Sequence, residues 1–445
     1  MSLARRDALI APAALLGAAL GAPLPASACA TVGSPAAADA GSDPAAIAAD
    51  LARYDGFGTK RSGGPGDEAV RLWMAEQLAA LGFTVSYAAV QAPAFEVDRA
   101  DLVAQNRRVA VEPQAIVVPT PEGGITAPAA LVADPSDLAR VAGRIAVVML
   151  PHRRHSALMT PTTIEAVRAA VAAGARAVVA VTHGPTGETI VLNAPADAPA
   201  VSVPMAVVGP RPLAPLVELI RRGSDLTLTI TGTGSRRTAQ TLIARKPGIG
   251  PMLVVSTPRS GWTVCAGERG PGVAIFLDLA RWAATRWPQR SLLFVSASGH
   301  EYDNQGMDAF LKSSAAPRPQ EVALWVHLGA NIATTDFHDL GPLRALPSAD
   351  PQRFLVGPRS MLPVLQKCFA GQAGLEAPYP VEAGAAGELA HILAEGYTRA
   401  LGVFGAGRLH HIETDRLPLA TNPQIVAAAA GGFRKAIVAL LDQAT

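Results

Sequence analysis

The chain has 445 residues, 49% hydrophobic and 17% charged, with a formal net charge of +2. That length exceeds one average domain and the apolar share is ample for packed cores, so two domains are expected and a disordered chain is excluded. Near-balanced charge with no Lys/Arg-rich block argues against nucleic acid as a partner.

In chain order, residues 1–28 read as an export signal. Arg5-Arg6 precedes an Ala/Leu-rich run from Ala8 to Leu20, and Ala26-Ser27-Ala28 offers a small-residue cleavage site. Arg5-Arg6-Asp7-Ala8-Leu9-Ile10 resembles a twin-arginine signal, which implies export of a folded protein to the periplasm or medium. Cys29 would then be the mature N-terminus, plain or lipidated; Ala26, where a lipobox has Leu, ranks lipidation lower. Residues 29–46, rich in Ala, Gly, Ser and Pro, read as a linker. No later apolar run is long and uninterrupted enough to span a bilayer.

Residues 47–104 open the first folded segment. Asp67 to Gly82 places Val70, Trp73, Met74, Leu78 and Leu81 on one helical face and ends at a glycine, and Phe83 to Tyr87 follows as a strand. Residues 105–234 change texture to short Val-rich strands, among them Val147-Val148-Met149 and Val178-Val179-Ala180-Val181. A helix lies between them, with capping-box spacing at Thr162 and Glu165, a shared face of Ile164, Val167 and Val171, and an end at Gly174. The pattern Gly143-Arg144-Ile145-Ala146-Val147-Val148, helix, Ala173-Gly174-Ala175-Arg176-Ala177-Val178-Val179 resembles a protease-associated domain, a β-rich module inserted in exported peptidases. Residues 235–445 alternate: strands at Leu242–Arg245, Met252–Ser256, Ser291–Ala297 and Val322–Val326, helices at Val273–Trp282, near Asp308 and from Gln424 to Leu441. The fold class expected is therefore α/β, a mostly parallel sheet flanked by helices with an inserted β-rich domain. Cys265 and Cys368 are too few for a disulfide framework, although an oxidising compartment permits their pairing.

The strand Ser291–Ala297 closes on Gly299-His300-Glu301. Ligands of open α/β sheets sit at the carboxyl ends of such strands, glycine allows a sharp turn there, and both following side chains can ligate metal or move a proton. The plainer alternative is a helix start in which Glu301 complements the dipole and His300 is solvated.

Set beside the rest of the chain, this triplet resembles part of the zinc aminopeptidase superfamily that includes glutamate carboxypeptidase, the transferrin receptor and glutaminyl cyclase. Members present His-x-Asp after a strand, Asp-Asn-x-x-Gly opening a helix, Gly-Glu-Glu after a strand, a further Asp, and His-x-x-x-Asp. Here Ser256-Thr257-Pro258-Arg259-Ser260 has no histidine, and Gly329 stands at the further Asp. Glu268 in Ala266-Gly267-Glu268-Arg269-Gly270 takes the bridging carboxylate's place, Glu301 the glutamate ligand's, and His411 in His411-Ile412-Glu413-Thr414-Asp415 the last histidine's, with His410 as its rival. His300 replaces the usual general base. The resemblance thus implies one zinc ion held by Glu268, Glu301 and His411, with His300 as acid/base in attack on a peptide or amide carbonyl. Arg269, Trp262 and Glu388 are the substrate-contact candidates; Glu388 lies in a segment similar to the family's Ser-Asp-His loop but without its other polar residues.

Two further readings stand beside it. A degenerate peptidase fold would serve as a binding protein, with Glu268 and Arg269 only an internal ion pair. A metal-independent serine hydrolase would use Ser260 or Ser256 with His300 as base and Glu301 or Glu268 as orienter, although no nucleophile-elbow pattern surrounds these serines. His152, His155 and His183 are expected to be surface or packing residues.

Overall fold

Four strands, Arg290–Ala297, Ile249–Pro258, Val322–Leu328 and Ala400–Gly405, lie parallel and adjacent in that order at the heart of a computed structural model that describes residues 41–442 apart from 115 and 339–342. The pleat sends alternate residues to opposite faces. Leu253, Val255, Leu292, Phe294, Leu324 and Val326 face the helices Pro44–Gly56, Pro65–Ala80, Gly270–Arg286 and Pro423–Asp442. Val254, Leu293, Val295 and Trp325 face the short helices Gln305–Leu311 and Glu388–Ala394. Burial on both faces is why these strands read as continuous apolar runs.

The expected export signal, Cys29 and most of the expected linker lie outside the described residues. The linker's last residues are helical: the Asp43 carboxylate accepts the Ala45 N–H, and Pro44 takes the first helical position. The helix expected at Asp67–Gly82 runs Pro65–Ala80, with Val70, Met74 and Leu78 buried and Trp73 and Leu81 half-buried against the same core. The C-terminal helix Pro423–Asp442 is long and apolar enough to cross a membrane by length and composition, yet Val426, Phe433, Ile437 and Leu441 are core residues of this fold. Cys265 and Cys368 are free thiols.

Two long strands, Thr84–Ala104 and Asp225–Lys246, form an antiparallel ribbon that joins two parallel blocks into one mixed sheet. One end of Asp225–Lys246 pairs with Arg290–Ala297; the other pairs with Ile125–Val132, beyond which Ile145–Met149, Ala177–Val181 and Met205–Val208 continue in parallel. The helix expected between the Val-rich strands spans Pro161–Ala172, but without the capping box. Thr160 is the N-cap residue, so Thr162 already lies inside the helix, where its hydroxyl accepts from Arg153. Proline at the first helical position sets that start.

The carboxyl ends of the central strands are in register: Ala297 is opposite Pro258, His327 opposite Ser256, and Leu328 opposite Val403. A buried ion pair braces this edge. Arg259 Nε meets Asp67 Oδ1 at 2.9 Å, and the same guanidinium donates to the carbonyls of Ser296 and Gln240 at 2.6 and 2.5 Å. Asp67 also accepts from Ser298 Oγ at 2.6 Å and Gly63 N–H at 2.9 Å. Removing one partner of such a pair leaves a buried charge unmatched, so Asp67→Ala is expected to lose about 3–5 kcal/mol in denaturant unfolding; a loss within about 0.5 kcal/mol would show that the edge holds without it.

Candidate active site

Gly299 turns the chain at the end of its strand with φ +87°, a conformation glycine adopts without steric cost. Its N–H donates to Ser62 Oγ and Ser260 Oγ, both at 3.0 Å, and these hydroxyls donate onward to Glu301 Oε2 at 2.9 and 2.6 Å. Ser62 N–H reaches Glu301 Oε1 at 3.3 Å. Burial raises the Glu301 carboxyl despite these donors. Glu301 is thus a satisfied structural acceptor in this arrangement, and Ser260 pairs with a carboxylate rather than an imidazole.

The loop between the strand Ile249–Pro258 and the helix Gly270–Arg286 carries Glu268 and Arg269, both fully buried, with Arg269 as the helix's N-cap residue. Asp415 fixes their loop by accepting the N–H groups of Gly267 and Glu268 at 2.7 and 3.0 Å, and Asn331 N–H caps the Glu268 carbonyl at 2.9 Å. Arg269 Nε donates to the Ser260 carbonyl at 3.0 Å while Nη2 sits 2.8 Å from Glu268 Oε1. Burial opposes ionisation of Glu268, but the charge of Arg269 and the neighbouring imidazoles outweigh it and hold the carboxyl well below its usual range.

His411 closes the cluster, its Nε2 lying 3.2 Å from Glu268 Oε1 and its Nδ1 2.8 Å from the Val191 carbonyl. A carbonyl only accepts, so Nδ1 carries a proton, and Nε2 is the ring nitrogen that faces the Glu268 carboxylate. His410 stacks on His411 with ring centroids 3.8 Å apart, yet both of its nitrogens are engaged. Nδ1 accepts from Asn331 Nδ2 at 2.9 Å, and Nε2 lies 3.2 Å from Ser156 Oγ. Of the two imidazoles, it is His411 whose Nε2 has no hydrogen-bond partner. Ligand atoms of Glu268, His410 and His411 all lie within 4.8 Å of one another; among the described residues this is the only such group, and Glu301 is outside it.

His300 and Glu388 form the other half of the site, with Nδ1 3.5 Å from Oε1. His327 Nε2 lies 3.9 Å from the other carboxyl oxygen, and its Nδ1 is tied to Ser256 Oγ at 2.9 Å. Burial, reinforced by Arg269, holds His327 down to about 3 and His300 well below the usual imidazole range. Burial pushes Glu388 up to about 8. His300, His327, Glu388 and His410 line a cavity of about 230 Å³ whose apolar walls include Phe354 and Phe404. Trp262 is elsewhere. Its indole N–H donates to Asn193 Oδ1 at 2.8 Å, and it lines a separate cavity with Tyr302 and Arg236.

The site's unpartnered polar atoms define where chemistry can act. Both carboxyl oxygens of Glu268 and of Glu388, both Nη atoms of Arg269, His300 Nδ1 and His411 Nε2 are buried without a hydrogen-bond partner. Buried polar groups are rarely left so. Cys265, Asn331 and His411 add backbone strain with φ of 57, 58 and 62°, about 1–3 kcal/mol each, and such strain concentrates at functional sites. Ser62, Asn331 and His327 escaped the sequence reading. Only His327 carried a signal, a histidine ending a buried strand.

Gly329, where the resemblance places an aspartate, has no room for a side chain: a Cβ there would lie 2.3 Å from the Val403 carbonyl oxygen. Among the histidines of residues 105–234, His155 is buried with Nε2 2.9 Å from the Pro151 carbonyl, and His152 packs edge-on against His183. His391 pairs with Asp308 at 2.5 Å.

No protein-family model matches the chain, and no curated protein matches its sequence. Solved structures do match. A zinc aminopeptidase from Bacillus subtilis aligns at 16% identity over 89% of this chain and 95% of that one, with a TM-score of 0.68. An aminopeptidase from Aneurinibacillus sp. strain AM-1 aligns at 15% identity over 91% and 95%, TM-score 0.63. A peptidase M28 precursor from Shewanella amazonensis SB2B aligns at 15% identity over 92% and 95%, TM-score 0.66. The chain has the fold of these peptidases.

Glu388 yields a pH prediction. Its folded carboxyl holds a proton up to about 8, against an ordinary value of 4.5, so its contribution to stability is complete below pH 4.5 and is lost as pH rises through 8. Glu388→Gln, which keeps a neutral side chain throughout, is expected to lose less thermal stability than wild type between pH 5 and pH 8. Parallel melting curves would refute the raised carboxyl.

Proposed function

We propose that this protein is a peptidase-like hydrolase that acts on a peptide or amide carbonyl at a site for one zinc ion. The observation that carries the proposal is the contact of His411 Nε2 with Glu268 Oε1 at 3.2 Å. With Nδ1–H committed to Val191, the remaining ring nitrogen faces a carboxylate oxygen, and both are atom types that ligate zinc. An imidazole and a buried carboxylate with unpartnered oxygens form a donor set that zinc accepts. Glu268 and His411 would hold the ion. His410 would complete the group on releasing Asn331, and Glu301 would join only by turning from Ser62 and Ser260. Bound zinc supplies Lewis-acid polarisation of a carbonyl and brings the pKa of water to about 7.

The chain's own residues supply the rest. Burial and Arg269 keep His300 neutral and therefore able to accept a proton. Arg269 Nη1, buried without a partner, would hold developing negative charge. Glu388, protonated at neutral pH, offers a donor at the base of a cavity that takes one apolar side chain between Phe354 and Phe404. The names of the neighbours, aminopeptidases and a zinc enzyme among them, support this reading. The features of residues 1–28 support export, by the twin-arginine route, and the strand-helix-strand pattern within 105–234 supports a protease-associated insert.

The Arg269–Glu268 ion pair favours a second reading, a peptide-binding protein in which the guanidinium already neutralises the carboxylate. Zinc analysis and a peptide library separate the two. The hydrolase is expected to bind one equivalent and cleave in a chelator-sensitive manner. His411→Ala should lose the metal, and His300→Ala should keep it while losing about 10²- to 10⁴-fold in rate. An intact library with folded, zinc-bearing protein would favour the binding module; no divalent ion after zinc loading would sink the metal site.

A further inference from the structure

We infer that Arg269 is an internal competitor for the metal, a fixed cation that shares Glu268 Oε1 with His411 and so keeps zinc exchangeable rather than permanently bound. The inference rests on the single-zinc reading and concerns how tightly that site holds its ion. Three observations carry it. Arg269 Nη2 and His411 Nε2 approach the same carboxylate oxygen, at 2.8 and 3.2 Å, so an ion on that oxygen and His411 would have a guanidinium as its neighbour. The guanidinium cannot drift away freely, because Nε is pinned to the Ser260 carbonyl at 3.0 Å and the side chain has no exposed surface. Nη1 carries no hydrogen bond and Nη2 meets only Glu268, so the guanidinium's charge is directed into the cluster.

Like charges at such separations repel strongly in a dry site, where the effective dielectric is far below that of water. The metal must then either bind beside an uncompensated positive charge or displace Arg269 from Glu268, and both weaken it. Replacement ligands are few: Gly329 is closed to any side chain by the Val403 carbonyl, Ser260 is spent on Glu301, and His410 is held by Asn331. Arg269 therefore sets the affinity of the site for its ion.

Zinc titration of the full chain against a chromophoric chelator tests this. Arg269→Met, similar in reach but uncharged, is expected to bind one equivalent about tenfold tighter than wild type or more. Its melting temperature should be lower than wild type in chelator, because Glu268 is left unpaired, and should rise further on zinc addition. Arg269→Gln gives the same comparison should the methionine variant not fold, and Arg269→Lys, which keeps the charge, should stay near wild type. Equal or weaker zinc affinity in the uncharged variants, or tightening in the lysine variant, overturns the role of Arg269 while the zinc site stands. Absence of zinc binding in every folded variant overturns both.

Discussion

The arrangement of the site depends on the Asp415 carboxylate. It collects the N–H groups of Gly267 and Glu268, while its own backbone carbonyl accepts the Ala266 N–H at 3.1 Å. A loop far along the chain is thereby clamped to the turn that presents Glu268 and Arg269, and the segment that ends in Asp415 also carries His410 and His411. The clamp is electrostatically expensive. Burial and the charge of Glu268 push the Asp415 carboxyl up to about 7, against the pull of the two N–H donors. Two carboxyl groups so close are tolerated because Arg269 lies on the far side of one of them.

That guanidinium organises charge through the whole cluster. It stabilises ionised Glu268 and disfavours protonation of His300, His327 and His410. Glu388, further into the cavity, remains a neutral acid. The result is a dry site in which an ion pair, Glu268 with Arg269, is surrounded by buried imidazoles and carboxyl groups whose proton affinities it shifts.

Much of this was legible in the sequence because the strands are covered on both faces. Ser291–Ala297 and Val322–Val326 are apolar without alternation, which marked buried parallel strands, and Gly299 marked the turn that follows. The pairing of Glu268 with His411 was legible through motif resemblance alone, since the two are distant in the chain. What the sequence could not reveal was orientation. Glu301 faces Ser62 and Ser260 because a serine hydroxyl from a preceding loop happens to reach it, and nothing in the spacing of Gly299-His300-Glu301 distinguishes that from facing His411. The capping box at Thr162 failed for a related reason: a proline one residue earlier satisfied the helix start, and local spacing alone did not rank the two signals.

The contacts made by residues 105–224 bear on how the protein can be dismantled. Ser156 lies against His410, Val191 fixes the proton of His411, Asn193 holds Trp262, and the Ala194 N–H donates to the Glu301 carbonyl at 3.0 Å. The ribbon Thr84–Ala104 with Asp225–Lys246 ties this region to the central sheet by a continuous ladder. It is consequently not an interchangeable cassette. A foreign segment grafted in place of these residues would leave the Nδ1 proton of His411 without its acceptor unless it delivered a carbonyl to the same point, so exchange of the region is constrained by one backbone oxygen.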